Sequence, residues 1–383
     1  MSANAGTAVK KPGLSRFGKK GRQTEVASQW QLMYWKFIKH KLALIATPII
    51  SLLFLTAIFG EFIAPSVPLY RYTKYKEAPP NGIHFFDEEG KFHLTPFVYD
   101  MERTTDPETF MRTFTVDTSK KTDMGFFVKG QEYLLWNLIP SDIHLFGPKE
   151  PDAPFLLMGT DSLGRDLYTR IIYGTRVSIS FGVLSVLFTF LIGVTLGGIS
   201  GYLGGVADVI IQRIIDLFRS IPTLPLWMAL AAAMPRTWDP LVIYFGMVFI
   251  MSLISWTDLA RVVRGKILSI REEDFTMAAR LCGASEARII FRHMLPSFAS
   301  YMIVVVTMSI PGSVLGETAL SFLGLGLQPP VVSWGVLLQD AQTVQALAQD
   351  PWLLWPVAFV IITVLTFNFI GDGLRDAADP YTR

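Results

Sequence analysis

Residues 177–206 carry no charged side chain, and that run limits the folds open to the chain more than any other feature. About 20 apolar residues in a helix match the ~30 Å hydrocarbon core of a bilayer at a rise of ~1.5 Å each. In such a core, only helices and closed barrels satisfy their own backbone hydrogen bonds. Five further stretches are similar: 42–60 (continuing to 64 past Glu61), 220–235, 241–257, 298–316 and 351–371. Residues 220–235 and 241–257 are short; the former can borrow the amphipathic turn before it, and buried core helices are the alternative for both. Hydrophobic residues make up 51% of the chain and charged ones 17%, against the ~25% charge of soluble domains. Disorder is excluded, and an ordinary soluble enzyme is disfavoured. The expected fold class is an all-α polytopic membrane protein with six transmembrane helices and a small β-rich extracytoplasmic insertion.

Lysine and arginine set the orientation. Lys10, Lys11, Arg16, Lys19, Lys20, Arg22, Lys36, Lys39 and Lys41 precede the first span, against one acid, Glu25. Arg261, Arg264, Lys266, Arg271, Arg280, Arg288 and Arg292 lie between the fourth and fifth spans, while 317–350 contains neither Lys nor Arg. Both termini therefore fall inside. Arg165, Arg170 and Arg176 run against the pattern, but long translocated segments largely escape the charge rule. The organisation that follows is a basic tail and interfacial helix (1–41), a first span (42–64), an outer insertion (65–158) and a core (159–383) with an inner loop at 258–296. Within the insertion, 83–86, 92–99 and 125–128 read as strands. Trp30, Tyr34, Phe37 and Ile38 recur at helical spacing among lysines. They suit an interfacial helix or, equally, the aromatic belt of the first span.

Catalysis has no visible home. Residues 13–20 nearly spell a phosphate loop, but lack the Ser/Thr that would hold magnesium and follow no strand. His40, His84, His93, His144 and His293 show no metal-ligand spacing, and the lone Cys282 excludes an internal disulfide framework and a Cys-rich zinc site. The centres of the spans hold no Asp, Glu, Lys or Arg, which weighs against a charge-coupled carrier.

Three features invite a role. Gly193, Gly197 and Gly201 recur every four residues, so they share a helical face on which another backbone can approach closely; Gly204 and Gly205 read as a loop. Asp208, Arg213, Asp216 and Arg219 punctuate an otherwise apolar helix, as on a wetted inner surface near a pathway or on an ordinary interface. The inner loop reads as two short helices. Glu272, Glu273 and Asp274 place acids at the start of the first, Gly283 ends it, Ser285 caps the second, and Pro296 stops it. Such a knob, with the small Ala278 and Ala279, is a docking element or a solvated loop.

Met277-Ala278-Ala279, Gly283 and His293-Met294-Leu295-Pro296 resemble the EAA loop of ABC-importer permeases. Met277 stands where that family usually carries Glu. Gly159-Thr160-Asp161-Ser162-Leu163-Gly164-Arg165-Asp166, with Arg170, Gly174 and Arg176-Val177-Ser178, is similar to the signature ahead of the second span in the dipeptide/oligopeptide/nickel branch. Residues 320–326, 328–330, 333–335, 371–376 and 379–380 extend the likeness, which covers the first span and 159–383.

The resemblance implies a C-type subunit with the type I ABC importer permease fold, in a bacterial inner membrane. It further implies a homologous second permease, two ATP-binding subunits, an outer solute-binding protein and import of peptides. A nickel chelate, opine or oligosaccharide is the alternative cargo, and an ATP-independent channel a more distant alternative. ATP and magnesium would sit on partner subunits, and this chain would bind no cofactor, metal or nucleic acid. Met277, Ala278, Ala279, Arg280, Gly283, Ala284, His293, Leu295 and Pro296 would form the coupling element. Gly159, Thr160, Asp161, Gly164, Arg165 and Asp166 would form an outer motif, read as a cap near the binding-protein dock or a structural ion-pair network. Asp216 and Glu317 are pathway candidates; Glu317 would face the cavity or only reach the interface. A membrane-impermeant maleimide is expected to label Cys282 from the cytoplasmic side of oriented vesicles, and labelling only from outside would overturn the orientation.

Overall fold

The computed structural model describes residues 29–105, 112–150 and 153–378. The basic residues of 1–28, the near phosphate loop at 13–20 and the closing Asp379-Pro380 lie outside the described residues.

Helix α1 (Gln29–Lys39) is distinct from α2 (Lys41–Ile58). His40 separates them in an extended conformation, its ring Nδ1 accepting the Ala43 N–H at 3.1 Å. A short α3 (Gly60–Ile63) follows. Arg176 reaches across to this corner: its Nε donates to Ala57 O at 2.6 Å, Nη2 donates to Ile58 O at 2.9 Å, and the guanidinium pairs with Glu61. The carbonyls left open where α2 ends are thereby satisfied.

The insertion is an antiparallel meander of β1 (His84–Phe86), β2 (Phe92–Thr105), β3 (Arg112–Leu135) and β4 (Ile139–Pro148), in that spatial order. Its register pairs Tyr99 with Lys121 and Phe126 with Phe146. The sheet is larger than the sequence suggested: β3 extends far on both sides of 125–128, and β4 was not anticipated. Much of β3 is exposed and rich in Thr, Lys and Asp, so no buried face imposed the alternation that marks a strand.

Helix α4 (Leu167–Leu203) is the central post. It begins ten residues before the expected span at 177, so Arg170 and Arg176 belong to the helix. Its inner end gives way to α5 (Gly205–Ser220) and α6 (Thr223–Ala232), bent by 87°. The expected third span is therefore broken rather than one helix lengthened by the turn before it. Pro222 explains the break: it lacks an N–H, and Ile221 before it is extended, at φ −102° and ψ 132°. Helix α7 (Pro240–Ile270) carries the fourth span well into the segment expected as inner loop. Then come α8 (Asp274–Leu281), α9 (Glu286–Arg288), a π-helical stretch Ile289–Met294, α10 (Leu295–Ser297) and α11 (Ala299–Phe322). Beyond them α12 (Trp334–Gln339), α13 (Val344–Gln349) and a 3-10 turn Pro351–Leu354 lead into α14 (Trp355–Ala378). Among the described residues, five helical segments are long and apolar enough to cross a bilayer, or six if the bent pair counts as one.

The glycine stripe lies where α4 meets α7. A Cβ on Gly193 would fall 2.9 Å from that of Leu259, one on Gly197 2.5 Å from Ala260 O, and one on Gly201 2.8 Å from Arg264 O. Val194, Tyr202, Leu259, Val263 and Ile267 fill the space beside this seam. Gly204 and Gly205, with positive φ, form the turn after it. Gly197→Ala is expected to destabilise the protein by about 1–3 kcal/mol through overpacking. Gly265→Ala, whose Cβ meets nothing within 4 Å, should instead stabilise it by about 0.5–1 kcal/mol. Thermal melts of the purified variants compare the two, and equal shifts would sink the close-approach reading.

Candidate functional site

The inner knob is assembled from its end signals. Thr276 is buried and its hydroxyl donates to Ile270 O at 3.0 Å, fastening α8 to the end of α7. Gly283 adopts φ +76°, a conformation costly for other residues. It allows the closing bonds Gly283 N–H to Arg280 O (3.0 Å) and Ala284 N–H to Ala279 O (3.1 Å). Ser285 then accepts the Arg288 N–H at 3.4 Å. Pro296 does not stop the second helix: it occupies the first turn of α10, where no N–H is needed. The direction changes at Phe298, with φ −122° and ψ 21°.

The two faces of the knob differ. Ile289, Ile290 and Met294 are buried among Val194, Leu259 and Val263, with Ala279, Ala284 and Leu295 half-buried at the margin. Phe275, Met277, Ala278 and Cys282 are exposed, and Leu281 is 86% exposed. Gly283 and Pro296 are exposed and His293 is half-buried. Arg280 turns back onto the body: its guanidinium lies 5.6 Å from the Tyr202 ring centre and donates to the Tyr202 hydroxyl at 3.4 Å, which raises the Arg280 pKa. Exposed apolar side chains over a small-residue helix on a rigid base make a surface fit for a partner.

The outer motif is a buried lock. Asp161 is fully buried and accepts Leu163 N–H (2.9 Å), Arg165 N–H (2.9 Å), Arg165 Nε (2.6 Å) and Arg170 Nη1. Asp166 caps α4, accepting Thr169 N–H at 2.8 Å and Tyr168 N–H at 3.3 Å; burial pushes its carboxyl up to about 7 against those donors. Asp340 reaches Arg170 from beyond α12 at 3.5 Å, and burial raises its pKa too. The Thr160 hydroxyl accepts Ala78 N–H at 2.8 Å, and Trp352 Nε1 donates to Thr160 O at 3.0 Å. Gly159 and Gly164 have positive φ, and a Cβ on Gly164 would strike Tyr72 O at 2.5 Å. The motif thus ties the insertion's stalk, α4 and the approach to α14 together, leaving little of itself for a visiting protein.

Glu317 is enclosed, which corrects its reading as a residue facing a cavity or interface. It accepts from Ser333 (2.7 Å), Ser321 (2.8 Å) and Ser178 (3.3 Å) and joins α4, α11 and the start of α12. Asp216 belongs to a ladder between α5 and α7. Its rungs are Asp208–Arg264 (2.6 Å), Asp216–Arg261 and Arg219–Asp258. The ladder borders a cavity of about 480 Å³ between α4, α5, α6, α7 and α11, lined by Thr189, Arg219, Trp227, Ser255, Asp258 and Ser309. Sequence reasoning missed this hollow because its hydroxyls are scattered over separate helices.

Residues 193–383 match the binding-protein-dependent transport system inner membrane component family, and residues 28–80 match the N-terminal transmembrane domain of oligopeptide transport permease C. Curated relatives agree. The oligopeptide transport system permease protein OppC of Bacillus subtilis is 36% identical over 63% of this chain and 77% of its own length. The dipeptide transport system permease protein DppC of the same organism is 37% identical over 64% and 72%. The chain belongs to the binding-protein-dependent transport system inner membrane component family. The OppC of Haemophilus influenzae is similar too, 37% identical over 67% of this chain and 78% of its own. This permease is a multi-pass inner-membrane subunit of an ABC importer, and not an enzyme.

Its lock can be tested directly. Asp161→Asn would leave Arg165 without its buried counter-charge and Arg170 with only the 3.5 Å pair to Asp340, a change expected to cost about 3–5 kcal/mol. Asp142→Asn, which loses only an exposed pair with Lys129, should cost under about 1 kcal/mol. Melting of the two detergent-solubilised variants at the same temperature would refute the assignment.

Proposed function

We propose that this permease is the C-type subunit of an ATP-driven peptide importer. In this reading it forms half of the translocation pathway beside a homologous permease. Both termini and the knob lie in the cytoplasm, and the insertion lies on the outer side. The bent pair α5–α6 counts as the third of six spans in a type I arrangement. The peptide cargo rests on the relatives above, which are named for oligopeptide and dipeptide transport.

The observation that carries the reading is the two-faced knob. Met277, Ala278 and Leu281 face outward, while Ile289 and Met294 bind the knob to α4 and α7. A partner pressing on the exposed face therefore acts on the spans through a packed core rather than a loose loop. Two cytoplasmic ATPases are that partner in this reading, and ATP and magnesium sit on them; this chain binds no cofactor. Met277 makes the contact apolar where the family usually presents Glu. Nucleotide-driven closure would favour one arrangement of the spans by its differential binding energy, and a binding protein would deliver cargo from outside. The hydroxyl-lined cavity beside the α5–α7 ladder takes over the pathway role first assigned to Glu317.

Leu281→Asp is expected to lower ATP-dependent peptide uptake about tenfold or more, the effect of losing ~1.4 kcal/mol of docking energy. Membrane insertion should be unaffected, because Leu281 touches little of its own chain. Uptake at the original rate in a normally expressed Leu281→Asp variant would reject docking at this face.

A further inference from the structure

The turn joining β3 to β4 is apolar and uncharged from Tyr133 to Ser141, unlike the strands that lead to it. Leu134 and Ile139 are exposed, and Leu138 is 78% exposed. Trp136 and Asn137 both adopt positive φ, 54° and 57°. This is the backbone of a tight hairpin turn, and a bulky residue such as tryptophan seldom accepts it. The strained residue is fixed in place: Trp136 Nε1 donates to Ile58 O at 2.7 Å, and its ring lies 5.8 Å from that of Phe59. A second contact runs parallel, with Phe127, also at positive φ and exposed, 6.2 Å from Phe62.

Ile58 is the last residue of α2, a spanning helix whose exposed apolar side chains include Leu44, Leu55 and Ile58 itself. On a membrane span, a bare apolar face of this kind suits lipid. The hairpin tip sits against the end of that face, held by the Trp136–Ile58 bond and the Phe59 contact, with Leu138 and Ile139 bare at its surface. A tryptophan whose indole N–H is satisfied at a helix end, flanked by bare leucine and isoleucine, has the composition of an interfacial anchor. We infer that the β3–β4 hairpin tip, Leu134 to Ile139, inserts into the bilayer leaflet on the insertion's side, beside α2. The sheet is then held by the membrane as well as by the Asp161 lock, and its orientation above the spans is set from two directions.

Site-directed spin labelling tests this on the full chain. In a Cys282→Ser background, nitroxides are placed at Leu138→Cys and Ile139→Cys in nanodiscs of phosphatidylethanolamine and phosphatidylglycerol. Leu55→Cys, on the exposed face of α2, and Leu94→Cys, on the sheet and 87% exposed, serve as lipid and water references. Collision with oxygen is expected to exceed collision with a water-soluble nickel chelate several-fold at both tip positions, as at Leu55. A nickel-dominated signal like that at Leu94 would overturn the inference. So would an immobilised nitroxide reached by neither reagent, because the tip would then be covered by protein. The labelled side chains are exposed, so the readout does not depend on a contact whose loss could unfold the sheet.

Discussion

Everything at the knob's end of the bundle depends on how closely α4 approaches α7. Gly193, Gly197 and Gly201 bring the helices so near that even a methyl group would meet the backbone of Ala260 or Arg264. In lipid the hydrophobic effect does not draw helices together, so contact density and small residues must do it. The seam then supplies the wall against which Ile289 and Met294 of the knob pack. Without that approach the knob would hang from a loop instead of resting on the spans.

The same seam explains the placement of charge. Asp208, Asp216 and Arg219 on α5 meet Arg264, Arg261 and Asp258 on α7, running from the end of α4 back toward Thr189. Each rung pairs opposite charges, so acids and bases fit on helices that are otherwise apolar. The Pro222 break lets α5 turn along α7 instead of continuing α6. A straight third span would have carried Asp216 away from Arg261.

Legibility followed the strength of the physical signal. Uncharged runs are unambiguous in a bilayer, so most spans were readable, and a four-residue glycine period admits few explanations other than close packing. The knob was readable because Gly283 and Ser285 are strong end signals. Pro296 misled because proline is tolerated in a first turn. Glu317 was misplaced because its three serine partners, Ser178, Ser321 and Ser333, come from distant parts of the chain and no local pattern announces them. The Asp161 motif was visible as a cluster, yet whether it faced outward or inward depended on Tyr72, Ala78 and Trp352, far from it in sequence. Most of β3 beyond 125–128 escaped notice because it is exposed on both faces.

The two ends of the bundle are fastened by different physics, and this bears on which end can move. Outside, Asp161, Arg165 and Arg170 are buried, and separating them would strand charges at a cost of several kcal/mol each, about 3–5 by analogy with other buried pairs. At the knob's end, the partners Asp216–Arg261 and Arg219–Asp258 lie on the surface of the chain rather than enclosed within it. The α5–α7 contact is therefore held less firmly than the Asp161 cluster.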